Sequence, residues 1–269
     1  MEKREIILNQ FYTESCNEET RLLSRHGSIE FLTTTKYIEK YLTKGCKILE
    51  IGAGTGRYSI FYAEKGYSVT AIEYVENNLN VLKSKIKENM NIVAEQGDAM
   101  DLSRFDDNVF DVTLVLGPLY HLYDRAEQEK AISEAIRVTK ENGVIAMAYL
   151  TSDSIMLDWT LRDNHLIDGY PNNFDENFKM VNDPSEIFAS FYISEFKQIV
   201  EQFNVLFEKN ITTDGMSHHF KEKIDSLTDE EFNIWLKYHF STCEREDLQG
   251  YSNHMLYICK KQNKKVKDR

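Results

Sequence analysis

Short apolar runs alternate with helical stripes from about residue 46 to residue 150. Apolar residues such as Leu79, Leu82, Ile86 and Met90 recur at helical spacing between two of the runs. The runs themselves predict five buried strands, at residues 47–51, 67–72, 91–94, 110–116 and 144–149. Strands that alternate with helices indicate crossover units and a parallel sheet covered on both faces. We therefore predict a Rossmann-like α/β core over residues 45–150.

A second helical stripe lies before the fifth strand, at Ala131, Ile132, Ala135, Ile136 and Val138. An acidic residue followed three positions later by a glutamate is typical of a capping box. Asp124 and Glu127 therefore predict the start of this helix. An Asn-Gly pair is typical of a helix end, so Asn142-Gly143 predicts where it stops.

The two flanks lack the regular alternation of strands and helices that the core shows. Residues 1–44 predict an N-terminal helical lid that ends at Gly45. Residues 151–260 predict cap insertions rich in aromatic residues, followed by the last helices and strands of the sheet. Thr228 and Glu231 predict another capping box, and residues 205–207 and 254–259 predict two late strands that close the sheet with an antiparallel edge. The predicted architecture is a mostly parallel seven-stranded sheet with an antiparallel last strand and a helical cap.

Acidic residues outnumber basic ones, 44 to 32, which gives a net charge of −12. Six basic residues and one acid fall within residues 260–269, so residues 1–259 carry a net charge of −17. We predict a basic tail at 261–269 that is solvated. Nucleic-acid binders usually carry a basic face, so the charge argues against nucleic acid and against anionic membranes as partners.

The remaining composition predicts a cytoplasmic protein. No apolar run reaches the length of a membrane span, and Cys16, Cys46, Cys243 and Cys259 are too widely spaced for a zinc site. Such spacing is typical of reduced thiols. Adjacent histidines at 218 and 219, and His239 in a later helix, lack a carboxylate at metal-ligand spacing. We therefore expect no metal.

The strongest chemical signal is a glycine-rich turn directly after the first strand, Glu50-Ile51-Gly52-Ala53-Gly54-Thr55-Gly56. Glycines let the backbone approach a ligand closely, and the following helix start supplies free N–H groups. A dinucleotide turn reads G-x-G-x-x-G, whereas this turn reads G-x-G-x-G with an acid two residues before it. The turn alone is compatible with a nucleoside, a dinucleotide or a carboxylate.

This turn resembles the first motif of the class I S-adenosylmethionine-dependent methyltransferases, and further segments match in the same order. Glu73 ends the second strand, Gly97-Asp98-Ala99 follows the third, and Leu116 to Leu122 follow the fourth. The resemblance covers residues 45–150 and is greatest to the small-molecule methyltransferases of the ubiquinone/menaquinone type. It implies S-adenosyl-L-methionine as cofactor, bound by Tyr12, Glu50, Gly52, Ala53, Gly54, Gly56, Glu73, Tyr74, Asp98, Ala99 and Leu116.

The resemblance implies particular roles for two of these acids, Glu73 and Asp98. Glu73 would accept both ribose hydroxyls of the cofactor, and Asp98 would lie near the adenine amino group. The cofactor carries a sulfonium cation and no phosphate, so an acid-rich pocket suits it, whereas Glu50 and Glu73 would repel a pyrophosphate. The charge pattern therefore favours this cofactor over a dinucleotide.

The expected acceptor site is built from four residues. His121 follows the fourth strand and is the candidate general base for a hydroxyl acceptor, which must lose a proton. Tyr120, Arg21 and His26 are the other candidate acceptor-binding residues, since cationic and aromatic groups suit an anionic or phenolic molecule. Two alternatives stay open: Tyr120 and His121 only wall the pocket, and the cations of residues 21–26 pair with Glu14, Glu18 and Glu19.

We expect methyl transfer to a small-molecule acceptor by in-line displacement. The first alternative is a methyltransferase that acts on RNA or protein, which the net charge of −17 and the absence of an Asn/Asp-Pro-Pro-Tyr/Phe motif disfavour. The second alternative is a non-catalytic S-adenosylmethionine-binding sensor. The sequence leaves the acceptor and the oligomeric state undetermined.

Overall fold

A computed structural model of the chain describes residues 3–15 and 18–263. Within these residues seven strands form one sheet in the order β3-β2-β1-β4-β5-β7-β6. The strands are β1 (Lys47–Ile51), β2 (Ser68–Glu73), β3 (Ile92–Gln96), β4 (Phe110–Val115), β5 (Thr139–Leu150), β6 (Val205–Thr212) and β7 (His254–Lys261). The order places β1 and β4 at the centre, where the first strand and its glycine turn meet the strand that carries Leu116 and His121.

The sheet is mostly parallel, which confirms the predicted Rossmann-like fold class. The strands from β3 to β5 all pair in parallel, and β7 pairs antiparallel with both β5 and β6. The last strand is therefore antiparallel, as predicted. The prediction that the two late strands close the sheet with an antiparallel edge is confirmed, with β7 paired to β5 and β6 at the edge. An interior position explains why residues 255–259 are all buried.

Helices cover both faces of the sheet. Their bounds are α1 (Lys3–Gln10), α2 (Glu18–Arg21), α3 (Arg25–Ile38), α4 (Arg57–Glu64), α5 (Glu76–Lys85), α6 (Arg125–Val138), α7 (Ser152–Ile155), α8 (Tyr170–Asn173), α9 (Ile193–Glu201), α10 (Lys221–Asp225) and α11 (Asp229–Thr242). One apolar cluster joins α3, α4 and α5 to one face of the sheet, and another joins α6 and α9 to the opposite face. Burial of these two apolar faces stabilises the three-layer fold.

Two predicted helix ends are wrong. Helix α6 ends at Val138, not at Asn142-Gly143, because Thr139 already begins β5. Asn142 has a φ of 61°, and with Gly143 it forms an irregularity near the start of β5, where the register with β4 shifts. Helix α5 ends at Lys85, so Ile86 and Met90 pack against the core from the following loop. The apolar spacing reflected the burial of Ile86 and Met90, and a loop residue can be buried as well as a helical one.

The capping predictions have mixed outcomes. Thr228 caps α11 with Glu231 in a full capping box. Asp124 caps α6 through the N–H of Ala126, but Glu127 bonds to Arg4 instead of closing a box. A distant cation therefore competes successfully for this carboxylate.

The structure describes part of the C-terminal basic run. Lys260 pairs with Glu208, and Lys261 donates to Asn108, so the first two basic residues of the C-terminal run belong to β7. Residues 264–269 of the predicted tail lie outside the described residues.

Three of the four cysteines are described, and Cys16 lies outside the described residues. Cys46, Cys243 and Cys259 are buried and form no disulfide. No helix within the described ranges is long and apolar enough to cross a bilayer. The cytoplasmic location stays a prediction.

Candidate functional site

The carboxyl ends of β1, β2 and β4 open into a cavity of about 890 Å³. Ligands bind at this edge in open α/β sheets, where the connecting loops diverge. Thirteen of the predicted site residues line this cavity: Tyr12, Arg21, Glu50, Gly52, Ala53, Gly54, Glu73, Tyr74, Asp98, Ala99, Leu116, Tyr120 and His121. Sequence reasoning thus predicted half of its lining residues, and we name it the first cavity.

Glu73 links the end of β2 to the glycine-rich turn that follows β1. Its carboxylate accepts a hydrogen bond from the N–H of Gly54 at 2.7 Å and another from the N–H of Val75 at 2.9 Å. Residue 73 ends β2, which pairs directly with β1, so the carboxylate reaches the turn that follows β1. A buried carboxylate fixed in this way presents an acceptor to hydroxyl groups of a ligand in the cavity.

Glu50 is the second acid of the first cavity and is almost completely buried. The hydroxyl of Ser59 donates to it. Burial raises the pKa of Glu50 to about 8; the Ser59 bond opposes this shift, and the charge of Glu73 adds to it. A cationic ligand group would favour the charged form of Glu50.

Two glycines of the turn have different roles. A Cβ on Gly52 would lie 2.6 Å from Cδ of Pro118, and φ is 74°, so the β1 and β4 loops approach here as only glycine allows. Gly56, predicted to bind cofactor, does not line the cavity. A Cβ there would lie 2.2 Å from Cδ1 of Leu82, so this glycine lets α4 and α5 pack closely. Its role in cofactor binding stays a prediction.

Asp98 lies under the N-terminal helix. Arg4 in α1 donates to Asp98 at 3.0 Å and to Glu127 at 3.3 Å, and its guanidinium lies 5.6 Å from the ring centre of Tyr74. Sequence reasoning missed Arg4, although it lines the cavity with Leu8 from the same helix. A single arginine near the start of the chain gives no signal of its partners, which lie 94 and 123 residues away.

His121 is held between two hydrogen bonds. Its Nδ1 lies 2.8 Å from the carbonyl oxygen of Ile187, and its Nε2 lies 2.8 Å from the hydroxyl of Tyr12. A carbonyl only accepts, so Nδ1 carries the proton and Nε2 accepts from Tyr12. Burial lowers the pKa of His121 to about 4, so the ring is neutral near pH 7.

A second cavity, of about 1630 Å³, adjoins the first. Tyr12, Arg21 and Tyr120 line both cavities and form the wall between them, whereas His121 lines only the first. Aromatic rings surround this junction, since Phe188 contacts Phe11, Tyr120 and His121. The cap provides most of the remaining wall, which includes Leu150, Ile155, Asp158, Trp159, Arg162, Asp163, Met180, Ile187, His218, Lys221 and His254.

Two of the predicted cations of the N-terminal segment, Arg21 and His26, line the second cavity. Arg21 pairs with Glu30 at 2.7 Å, and Arg25 pairs with Asp229 at 2.6 Å. His26 lies 2.7 Å from Asp225 and lines only the second cavity. Of the acids expected as alternative partners, Glu14 bonds to Gln10 and Glu19 pairs with Lys85.

The other histidines do not form a metal site. His239 is buried and bonds to Thr33, and His218 bonds to Asp158 at 2.7 Å. In the described residues no group of three or more histidine, cysteine or acidic side chains is arranged to hold a metal ion.

Comparison with known proteins identifies the central segment. Residues 48–143 match the model of a methyltransferase domain family. A demethylmenaquinone methyltransferase from Paenarthrobacter aurescens is 32% identical over 127 residues, which are 47% of this chain and 47% of that protein. A demethylmenaquinone methyltransferase from Staphylococcus epidermidis is 38% identical over 107 residues, which are 38% of this chain and 42% of that protein. Residues 48–143 are therefore similar in sequence to methyltransferase domains.

The fold of the methyltransferase domain extends the likeness beyond the matched segment. A solved methyltransferase structure from Methanosarcina mazei superposes with a TM-score of 0.57 at 19% identity, over 85% of this chain and 98% of that one. A protein from Pyrococcus horikoshii superposes with a TM-score of 0.59 at 15% identity, over 94% and 96% of the two chains. The aligned segment spans less than half the length of the two curated relatives named above.

The residues of the methyltransferase domain fit the cofactor that its family uses. Glu73 offers a fixed carboxylate to hydroxyl groups, Glu50 offers a buried acid to a cation, and the glycine turn brings backbone close to the cavity. S-adenosylmethionine carries ribose hydroxyls and two cationic groups and has no phosphate. The donor and acceptor set of the first cavity therefore suits it.

Proposed function

We propose that this protein transfers a methyl group from S-adenosylmethionine to a small-molecule acceptor held in the second cavity. The observation that carries the proposal is the shared wall of Tyr12, Arg21 and Tyr120 between the two cavities. A reaction between two bound molecules needs such a junction, because positioning alone supplies much of the rate of a displacement.

The first cavity would hold the cofactor through the residues described above. Glu73 binds the ribose hydroxyls, Asp98 and Tyr74 lie on the adenine side, and Glu50 faces the cationic end. When bound, S-adenosylmethionine supplies an electrophilic methyl group on a sulfonium. The aromatic rings of Tyr12 and Tyr120 line the junction, and aromatic faces favour a cation.

Tyr12 and His121 would remove the proton from a hydroxyl acceptor. His121 does not line the second cavity, so the acceptor would meet Tyr12 first. The bound cofactor would supply the methyl group, whose carbon–sulfur bond would break as the acceptor oxygen takes the methyl carbon, and Tyr12 would accept the acceptor's proton. Tyr12 would pass its own proton to Nε2 of His121. The products would be a methylated acceptor, a neutral thioether and a protonated His121.

Two observations favour a small molecule over RNA or protein. The acceptor cavity adjoins the cofactor cavity beneath the cap, and residues 1–259 carry a net charge of −17, which repels a phosphate backbone. The aromatic junction suits a planar ring. The two relatives named as demethylmenaquinone methyltransferases are consistent with a planar acceptor, although they align only with the core.

The test has two parts. Calorimetry with S-adenosylhomocysteine measures cofactor-site binding, and turnover is then followed with S-adenosylmethionine and a panel of phenols, catechols, quinols, thiols and amines. Binding together with methylation of at least one small molecule supports the proposal. Binding without turnover of any panel member favours a sensor, and methylation only of RNA or protein would favour the macromolecular alternative. Absence of binding would overturn the cofactor assignment.

A further inference from the structure

The charges that line the second cavity are not evenly compensated. Five acids line it, and four of them are paired with a cation of the wall. Glu30 pairs with Arg21, Asp214 with His254, and Asp158 and Asp163 with Arg162. The fifth, Glu186, is exposed at the rim. The buried part of the wall therefore offers no uncompensated carboxylate to an acceptor.

The deepest of these pairs form a continuous chain. His254 lies between Asp214, at 2.9 Å, and Glu30, at 3.6 Å, and Glu30 is bonded to Arg21. Burial alone would lower the pKa of His254, but the two carboxylates outweigh it and raise that pKa. When His254 is protonated, two cations and two anions alternate along the chain and their charges cancel.

Lys221 is the exception among the lining cations. It is half-buried at the start of α10 and lines the second cavity. Within residues 3–15 and 18–263, no hydrogen bond or ion pair joins its ammonium to another side chain. The bonded Arg162 lowers the pKa of Asp163, and the nearby charge of Lys221 adds to this effect without an ion pair.

We propose that the methyl acceptor carries a carboxylate that pairs with Lys221 in the second cavity. The Lys221 ammonium lines the cavity without a side-chain partner among the described residues, and an anionic ligand would complete the pairing that the rest of the wall already shows. The acids of the chain are each in contact with Arg21 or His254, which reduces their repulsion of such a ligand. This inference rests on the proposed function, since it assigns the second cavity to the acceptor.

The test compares two probes of equal shape, 2-naphthoate and 2-naphthamide, binding to the full chain saturated with S-adenosylhomocysteine. The variants are Lys221→Met and, as a matched control, Lys223→Met, which removes an exposed lysine of the same helix that does not line the cavity. We expect the wild type and K223M to bind the carboxylate about tenfold more tightly than the amide, the effect of one charge-assisted contact. K221M should bind both probes equally.

Several results would overturn the inference. These are equal affinities in the wild type, no measurable binding of either probe, and a carboxylate preference that K221M keeps. Binding of S-adenosylhomocysteine is measured first for every variant, and K221M should retain it because Lys221 does not line the first cavity. Failure of that binding in the wild type would count against the proposed function, whereas normal binding without a carboxylate preference would count against this inference alone.

Discussion

The hydroxyl of Tyr12 lies 2.8 Å from Nε2 of His121, and the opposite nitrogen of the ring donates to the carbonyl of Ile187. This pair links the N-terminal segment to the loop after β4, 109 residues along the chain. The loop position of His121 is predictable from sequence, but its hydrogen bond to Tyr12 is not. In the proposed reaction, an acceptor in the second cavity would reach the histidine through the phenol, because Tyr12 lines that cavity and His121 does not.

The first prediction concerns this relay. Tyr12→Phe and His121→Gln should each lower kcat for a hydroxyl acceptor about 100-fold, because each breaks the same proton path. The double variant should be little worse than either single one, since the residues act as a unit. Rates are measured with saturating cofactor. Additive losses, or changes of only a few fold, would instead support the alternative in which these side chains wall the pocket.

The second prediction concerns Glu73. Glu73→Gln should weaken binding of S-adenosylhomocysteine by about 1–3 kcal/mol, because charge-assisted hydrogen bonds to the ribose are lost. Glu76→Gln removes an exposed acid three residues later and should leave the affinity unchanged. Calorimetry on both variants gives the comparison. Equal affinities would place the ribose site elsewhere.

The third prediction concerns the close approach at Gly52. Gly52→Ala should reduce cofactor affinity at least about tenfold and destabilise the fold by about 1–3 kcal/mol, because its Cβ would meet Pro118. Gly66→Ala is the matched control, since Gly66 has a similar positive φ of 86° with no atom within 4 Å of the added carbon. Its cost should be backbone strain alone, with cofactor affinity retained. Denaturant unfolding and calorimetry report the two effects separately.

The fourth prediction concerns pH and Glu50. The pKa of Glu50 is raised from 4.5 to about 8 in the folded protein, chiefly by burial. The folded state therefore holds this proton more tightly than the unfolded state does. Its contribution to stability is lost as the pH rises from about 5 to about 8, by at most about 1.4 kcal/mol per pH unit. Glu50→Gln removes this titration.

Unfolding free energies of the ligand-free wild type and of Glu50→Gln, measured from pH 5 to pH 9, test this prediction. The wild type should lose stability relative to the variant as the pH rises. His121, with a pKa lowered from 6.5 to about 4, also makes stability depend on pH at the acid end of this window, but it is common to both proteins and cancels in their difference. Parallel curves would mean that Glu50 is ionised throughout.

The fifth prediction concerns Arg4. Arg4→Met should speed dissociation of S-adenosylhomocysteine about three- to tenfold, because the ion pairs to Asp98 and Glu127 hold α1 over the first cavity. Arg125→Met is the control, since Arg125 pairs with Glu129 on the exposed side of α6. Stopped-flow measurement with a fluorescent analogue gives the rates. An unchanged rate for Arg4→Met would show that α1 does not retain the ligand.

Local chemistry explains what could be predicted in the core. The alternation of apolar runs and helical stripes predicts parallel pairing of β1 to β5, since crossover helices cover both faces of such a sheet. The glycines Gly52 and Gly54 and the acids Glu50 and Glu73 line the first cavity and lie within 24 positions of one another. Such motifs can be recognised from the sequence because their residues lie close together along the chain. The errors at Asn142 and Ile86 arose where tertiary packing overrode a local signal.

The sequence by itself determined the Rossmann-like fold class, the acids and glycines that line the first cavity, and the resemblance that implies S-adenosylmethionine. Only the tertiary structure decided which side chains meet around the cavities. Arg4 meets Asp98, and Tyr12 meets His121. Arg21 meets Glu30, which lies near His254, and His254 in turn meets Asp214. The first two pairs and His254 join parts of the chain that lie 90 to more than 200 residues apart. Ion pairs and hydrogen bonds act over a few ångströms, so partners this distant along the chain are selected by packing and leave no periodic trace in the sequence.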